Sequence, residues 1–558
     1  MKIINISPSI EKESIENPDQ INLFYQFFIH KVTRRSKEIK KCLKFNVQNK
    51  FIDKIYLLNE QIYSDSDLGI SSEKIIQIDV KKRLKFQDVY KYINDNNIKG
   101  YNIIINADIF CDETINNLKY TQIHIKKQAM ALLRYEYDHE DINNSKIFGP
   151  RFDSQDTWIM HSNHTIKPDE VKIFNFEFGK PGCDNKLIYL LNILGYEVLN
   201  DPKLIKTYHV HTTELRDYSK EDYIHQPWGV VIPSNIDVNL IKPSLGIDLA
   251  QVASLTKNLS QVRFEDNFRL YNYIITKIGE NKNFIIPRIA GIENNYAVES
   301  EIARDTSNIS PEFKSYMEKT IGVMKNNAGI KLSNMNSIML YSQMYMASFD
   351  QCECYTCWCP CVDGVYKYIE KSHDYIRNKY NSKFPLWAFS LDIFHYIKSG
   401  YPWTHALQGK KVLIISAFEE SIKEKIPIRK EIYGIDLFPN CEILTIKPPQ
   451  TQGTENAEEF NIELEKFFVK LDEIKDTYDI ALVSAGGYGN LICSHIFKTG
   501  RSAIYVGGCL STYWGIYGTR WIKERPDILR LYLNKYWSRP KESERPKNYQ
   551  NIEGGCYW

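Results

Sequence analysis

Tyr101-Asn-Ile-Ile-Ile-Asn-Ala-Asp-Ile-Phe-Cys-Asp112 carries a block of apolar residues straight into Asn106, Asp108 and Asp112. The apolar run reads as a buried strand over Tyr101–Phe110, with its polar end delivering a small acidic cluster. Ligands of open α/β sheets sit beyond the carboxyl ends of the strands. Oxygen donors at that place suit Mg2+ or Mn2+, and such an ion can neutralise a departing diphosphate. The competing reading of the same carboxylates is a solvated turn.

Elements of similar length flank this run. Ile29–Lys50 is basic and helical in pattern, Phe51–Glu60 is a strand ending in polar residues, Lys74–Asp79 is a short strand, and Leu84–Asn97 is helical. Further on, Ala131–Asp138 reads as a strand and 148–158 as a loop rich in groups that bind sugar hydroxyls. Asn175–Lys186 forms a shaped turn whose Asp184 either caps the helix at Leu187–Leu194 or deprotonates an acceptor hydroxyl. Lys206–His211, read as a strand, puts His209 and His211 on one side. Alternation of strands and helices at this spacing predicts an α/β fold with a mainly parallel sheet.

The chain's 558 residues exceed what one core usually supports. The expected division is a first domain over 1–228, a linker over 229–264, a second α/β domain over 265–525 and an aromatic tail over 526–558 packed on it. Lys and Arg number 71 against 69 Asp and Glu, a net charge of +2 that leaves no broad footprint for nucleic acid. No run approaches the roughly 18 apolar residues of a transmembrane helix. The first residues lack the separate basic and apolar regions of a signal peptide. A cytoplasmic location is expected, the host cytoplasm if the chain is viral.

Cys352, Cys354, Cys357, Cys359 and Cys361 fall within ten residues. Zinc sites usually draw two ligand pairs from separated segments, so reduced thiols in a packed segment are the expected state.

The second half opens with Phe284–Tyr296, an apolar strand entering a glycine turn with Arg288 and Glu293. Arg288 can clamp phosphate oxygens, or the two can pair and tie down the turn. Lys410–Phe418 reads as a central strand after a helical stretch around Ile393–Leu407. Cys441–Ile446 and Tyr478–Ser484 are further strands, with a periodic helix over Ala457–Glu473 between them. Ala485-Gly-Gly-Tyr-Gly-Asn490 then leads through a helix to Ser502–Gly508. Backbone amides at Gly486, Gly487 and Gly489 can hold an anion, or the turn is purely structural. The loop lacks the spacing of a dinucleotide fingerprint and the lysine of a P-loop.

Two resemblances attach to these motifs. Ile55–Glu60, Asn106–Asp112, Asp153–Trp158, Gly182–Asn185 and Tyr208–His211 together resemble the nucleotide-sugar glycosyltransferases with a GT-A fold, including the type encoded by large DNA viruses and some bacteria, over about residues 20–225. The resemblance implies an Asp-x-Asp element holding Mn2+ or Mg2+ on the donor diphosphate, with Asp108 in the second place and Asn106 in that of the first carboxylate. It implies Asp156 or Asp184 as acceptor-side acid or base, and places Glu60, Asp112, His209 and His211 around the donor and its metal. Pro287–Glu293, Gly409–Ile415, Asp479–Gly487 and Ala503–Gly508 are similar to the GT-D group over about 265–525. Arg288 and Glu293 match its Arg-x-Gly-Asp-Gly-Glu motif, and Gly291 stands where its Asp belongs.

The expected function is metal-dependent transfer of sugar from a nucleotide-sugar donor to a hydroxyl of a glycan or glycoprotein acceptor; a second active domain would make the protein bifunctional and able to add sugars in succession, whereas a second domain altered by Gly291 would bind an acceptor without catalysing transfer. The alternatives are a glycan-binding or assembly protein with decayed sites, and a metal-dependent nucleotidyltransferase or phosphohydrolase.

Overall fold

A computed structural model describes residues 19–211, 219–225, 227–236, 264–305, 311–358, 370–398, 402–451 and 457–558. The chain forms two compact units, Met1–Ser260 and Gln261–Trp558, and each is an α/β fold.

The first unit is built on strands β1 (Ile21–Tyr25), β2 (Lys54–Asn59), β3 (Ile75–Asp79) and β4 (Tyr101–Ile105), all parallel. Helices Thr33–Gln48 and Phe86–Asp95 make the crossovers from β1 to β2 and from β3 to β4. Every residue of β1 and of β4 is buried, as befits central strands covered on both faces. Gly100 starts β4 with φ of +92°, and a Cβ there would lie 2.1 Å from the Gln20 carbonyl oxygen. Only glycine fits that approach.

Beyond β4 the chain does not continue as one strand. β4 ends at Ile105, Asn106–Asp108 turn, and β5 (Ile109–Cys111) belongs to another sheet. The turn is closed by the Asn106 amide donating to the Asp156 carbonyl at 3.2 Å and the Ile109 amide to that of Asn106 at 3.1 Å. The same event follows β6 (Gln128–Leu132): the chain leaves the large sheet, passes Leu133 and Arg134, and enters the small sheet as β7 (Tyr135–Glu136). β8 (Lys146–Ile147), β9 (Thr157–His161), β10 (Glu197–Leu199) and β11 (Thr207–His209) complete the unit.

The large sheet has the order β10-β6-β9-β4-β1-β2-β3, with β9 antiparallel to both neighbours. The small sheet has the order β5-β11-β7-β8. Reading outward from β1, one crossover goes to β2 and β3 on one side and the next to β4 on the other. The carboxyl ends of β1 and β4 therefore flank a topological switch point, where open α/β sheets leave a crevice. β1 carried no separate sequence expectation, yet it is the strand about which the order reverses.

The second unit holds a wholly parallel sheet made of β12 (Ile285–Ile286), β15 (Lys411–Ser416), β16 (Glu442–Ile446), β17 (Ile480–Ser484) and β18 (Ser502–Tyr505), in the order β12-β18-β17-β15-β16. β13 (Cys354–Cys357) and β14 (Phe384–Trp387) form a separate parallel pair. Helices Phe460–Ile474 and Gly489–Lys498 make the crossovers around β17. Its switch point lies between β15 and β17. The helix expected around Ile393–Leu407 is a set of 3-10 turns, Ile393–His395 and Trp403–Leu407. The tail belongs to this unit, held by the Glu544 carboxylate accepting from the backbone amides of Glu420 and Ser421 and by the Trp537 indole donating to the Ile432 carbonyl.

Candidate functional site

The two sheet-to-sheet crossings of the first unit meet. Asp108, at the first crossing, is buried and accepts from the Arg35 guanidinium and, at 3.0 Å, from His209 Nε2 on β11. Arg35 comes from the first turn of the helix that follows β1, so it reaches Asp108 across the switch point. His209 Nδ1 lies 3.2 Å from Glu136, which pairs with Arg134 Nε at 2.9 Å. Arg134 also binds Asp156, whose other oxygen accepts from the Asn106 amide group at 2.7 Å. Alternating charge thus runs Arg35, Asp108, His209, Glu136, Arg134, Asp156, and Asn106 closes it back onto the turn that carries Asp108.

Each partner sets its neighbour's protonation. Burial opposes charge on His209, but Asp108 and Glu136 outweigh it and raise the imidazole to about 9. Burial would likewise raise Asp108, yet His209 and Arg35 hold its carboxyl well below the usual range. Glu136, also opposed by burial, is lowered to about 2 by His209 and Arg134. His211 stacks on His209 at 4.9 Å between ring centroids, and burial together with the cations His209 and Arg35 lowers its pKa.

Asp184 behaves differently. It lies in the first turn of helix Cys183–Ile193, whose N-cap position is Gly182, and its Oδ2 accepts from the Gln155 amide at 3.2 Å. Burial, then the neighbouring Asp156 carboxylate, raise it to about 7. It is a helix-start residue that faces the Asp153–Asp156 loop, and its proton is exchangeable near neutrality. Arg151 pairs with Asp153 through Nε at 2.9 Å and Nη2 at 3.0 Å. The Phe148 ring lies under Arg134 at 4.0 Å and Arg151 at 5.5 Å, so this wall of the site is braced before any ligand arrives.

Asp112 does not join the group. Its Oδ1 accepts from the Thr114 amide at 2.9 Å as the cap of the following 3-10 turn, and its Oδ2 accepts from the Tyr208 hydroxyl at 3.1 Å. Strand β5 separates it from Asp108 by four residues, about 13 Å at the rise of an extended chain. The spacing in sequence suggested one acidic cluster; a strand between the carboxylates makes it two sites. Glu60 is exposed in the turn after β2, outside the paired network. Arg35, Arg134, Glu136 and Arg151 had no place in the sequence reading. The Arg134-Tyr-Glu136 alternation puts both charges on one face of a strand, a signal too common to single them out.

In the second unit, Arg288 donates to the Val506 carbonyl and lies 4.7 Å over the Trp358 ring, while Asn490 binds its backbone at both amide and carbonyl. Glu293 starts helix Ile292–Asp305, and burial, reinforced by Glu553 and opposed by Arg288, pushes it to about 7. No ion pair joins Arg288 to Glu293. Gly291 is exposed, and a Cβ there would meet nothing within 4 Å.

The glycine turn is filled by its own chain. A Cβ on Gly487 would lie 2.4 Å from Ile330, and one on Gly489 2.3 Å from the Tyr505 ring. The carbonyls of Gly486 and Gly487 accept from the Tyr505 and Tyr341 hydroxyls at 2.8 and 3.0 Å. Gly486 has a positive φ of 52°. These contacts account for the glycines as a tight structural turn. At the switch point itself, Phe418 after β15 meets the rings of Trp558 at 5.8 Å and Tyr557 at 6.5 Å.

Cys352, Cys354 and Cys357 are buried, and burial pushes the Cys352 thiol to about 12. Cys354 and Cys357, three apart in β13, point to opposite faces. Cys359 and Cys361 lie outside the described residues. Among the described residues no group of three or more His, Cys, Asp and Glu side chains is arranged to hold a metal, and no helix is long and apolar enough to cross a membrane.

No family model matches the chain, and no curated protein matches it.

Proposed function

We propose that the first unit is a metal-dependent glycosyltransferase that moves a sugar from a nucleotide-sugar donor to a hydroxyl of a glycan or glycoprotein acceptor. The observation that carries this reading is the coincidence of Asp108, Arg35 and Asn106 with the switch point, beside a half-buried carboxyl pair, Asp156 and Asp184, of which Asp184 is raised to about 7.

Mg2+ and Mn2+ are commonly held by one or two carboxylates together with substrate phosphates, so Asp108 is the residue that would hold an ion arriving with the donor, while His209, a cation as long as it faces Asp108, is no ligand in that state. Bound there, the ion would supply charge neutralisation for the departing diphosphate. The chain contributes its own cations: Arg35 and protonated His209 already face Asp108, and either is released toward a phosphate when that carboxylate takes another partner. On the acceptor side, ionised Asp184 accepts the proton of the attacking hydroxyl as the bond from anomeric carbon to phosphate oxygen breaks. Asp156 is tied to Arg134 and Asn106, and its carboxylate beside Asp184 holds the pKa of Asp184 up.

The test is incubation of the protein with UDP-, GDP- and dTDP-sugars and Mn2+ or Mg2+, following donor binding, turnover and products in wild type and Asp108→Ala. Donor-specific turnover with a glycosylated product, lost in the variant, supports the reading. Nucleotide release without sugar transfer to any acceptor points instead to a phosphohydrolase or nucleotidyltransferase. The second reading, a glycan-binding unit with a decayed site, is favoured by one observation: Asp108 is fully paired within the chain, and Asn106 is spent on Asp156. Acceptor binding with no donor binding by the folded protein would establish that reading.

A further inference from the structure

Helix Thr33–Gln48 carries six cations, Arg34, Arg35, Lys37, Lys40, Lys41 and Lys44, against one acid, Glu38. Arg35 and Glu38 pair with each other at 2.9 Å, and Arg35 turns on to Asp108. The other five fall within about a third of the helix circumference, along about 15 Å of its length. Arg34, Lys37 and Lys44 are exposed and Lys40 and Lys41 half-buried. Among the described residues, Lys37, Lys40, Lys41 and Lys44 pair with no carboxylate. The Lys41 ammonium lies 4.6 Å over the Tyr137 ring and 3.3 Å from His139 Nδ1, and that of Lys40 lies 3.5 Å from the Ser66 carbonyl oxygen, where Asp65 and Asp67 border the stripe. The whole chain has a formal charge of only +2, so this face is a local concentration of charge.

Exposed apolar side chains stand at the amino end of the same helix. Ile29 is 47% exposed and Ile62 57% exposed. Phe27, two residues before Ile29, and Tyr63, next to Ile62, touch with ring centroids 5.1 Å apart, so the two exposed isoleucines leave from a shared buried contact. A straight row of cations flanked by protruding aliphatic groups matches the interface of a bilayer containing anionic lipid, where the ammonium groups meet headgroup charge and the aliphatic tips enter the acyl boundary. A nucleic-acid backbone would use the cations and leave the isoleucines without a partner.

We propose that the Lys37–Lys44 face of this helix, with Ile29 and Ile62, docks the protein on an anionic membrane surface. The docking is peripheral and reversible. It holds the mouth of the first unit's crevice close to the bilayer, because the helix begins at the carboxyl end of β1. The proposal does not depend on the donor-site reading, and the two fail separately: one is read with vesicles, the other with soluble nucleotide sugars.

The experiment is sedimentation of the full chain with vesicles of phosphatidylcholine alone or mixed with phosphatidylserine. Binding to the mixed vesicles only, weakened by added salt, is expected. Each cation near an anionic surface contributes about fivefold, so K37E/K41E/K44E is expected to weaken binding by about a hundredfold or more. K430E/K498E/K535E, the same charge change at exposed positions of the second unit, is expected to leave it within about threefold. Ile29→Ser is expected to lower binding with no change in its salt dependence. Equal loss in both triple variants, equal binding to both vesicle types, or retention by duplex DNA without vesicle binding would each overturn the proposal.

Discussion

The two units end their parallel strands in opposite ways. At the switch point of the first, between β1 and β4, the side chains are Arg35, Asn106 and Asp108, charged or polar groups whose partners are one another. At that of the second, between β15 and β17, the space meets Phe418, Tyr557, Trp558 and a glycine turn packed by Ile330 and Tyr505. Topology opens a crevice in both. What occupies it separates a crevice lined by paired charges from one closed by its own carboxyl-terminal residues.

Substitutions at the two crevices should therefore have unlike consequences. The largest difference is expected from Asp108→Ala, which should lower donor turnover by about 10²–10³-fold through loss of electrostatic preorganisation, while Glu293→Ala leaves first-unit turnover unchanged. An equal loss from Glu293→Ala would mean that the second unit supplies the chemistry. Next is Arg134→Met. It strips Asp156 of its cation in a largely buried setting and is expected to cost about 3 kcal/mol, seen as faster hydrogen exchange confined to first-unit peptides.

Gly489→Ala is the counterpart in the second unit. Its Cβ would enter the Tyr505 ring, which the hydroxyl bond to Gly486 holds in place, at a cost of about 1–3 kcal/mol confined to second-unit peptides. If the unit tolerated alanine there without loss, the turn would be open enough for a ligand, and the contrast between the crevices would weaken.

The smallest effect concerns pH. Asp184 is raised in the folded chain to about 7 from its ordinary value of 3.8, so the folded state binds more protons than the unfolded state between those values and stability falls as pH rises through that window. Asp184→Asn removes the cost and is expected to stabilise the first unit by about 1–2 kcal/mol above pH 7, with no gain below the unfolded value, as thermal unfolding across pH would record. If Asp184 is the acceptor-side base, wild-type turnover rises through about 7 as its proton leaves, and the asparagine variant loses that limb. His209, raised to about 9, has the same sign, contributing stability fully below 6.5 and losing it as pH rises through 9. Glu136, lowered to about 2, contributes above 4.5 and loses it only in strong acid.

The sequence by itself determined the elements whose signal is local. Apolar runs at Tyr101–Ile105, Lys411–Ser416 and Ile480–Ser484 are strands because each is buried on both faces, and the spacing between them forces helical crossovers and an α/β class in each unit. It also brought Asp108, His209, Asp156 and Asp184 forward, since polar residues at strand and helix ends are conspicuous. Tertiary structure decided which of them act together. A three-residue turn after Ile105 moves the chain to a second sheet, so Asp108 and Asp112, four apart in sequence, finish at opposite ends of β5. Arg35 and Asp108, seventy-three apart, become partners because β1 and β4 are neighbours at the reversal of strand order. Local propensity depends on a few adjacent residues, whereas a charge network depends on strand order and register, which the whole sheet sets at once.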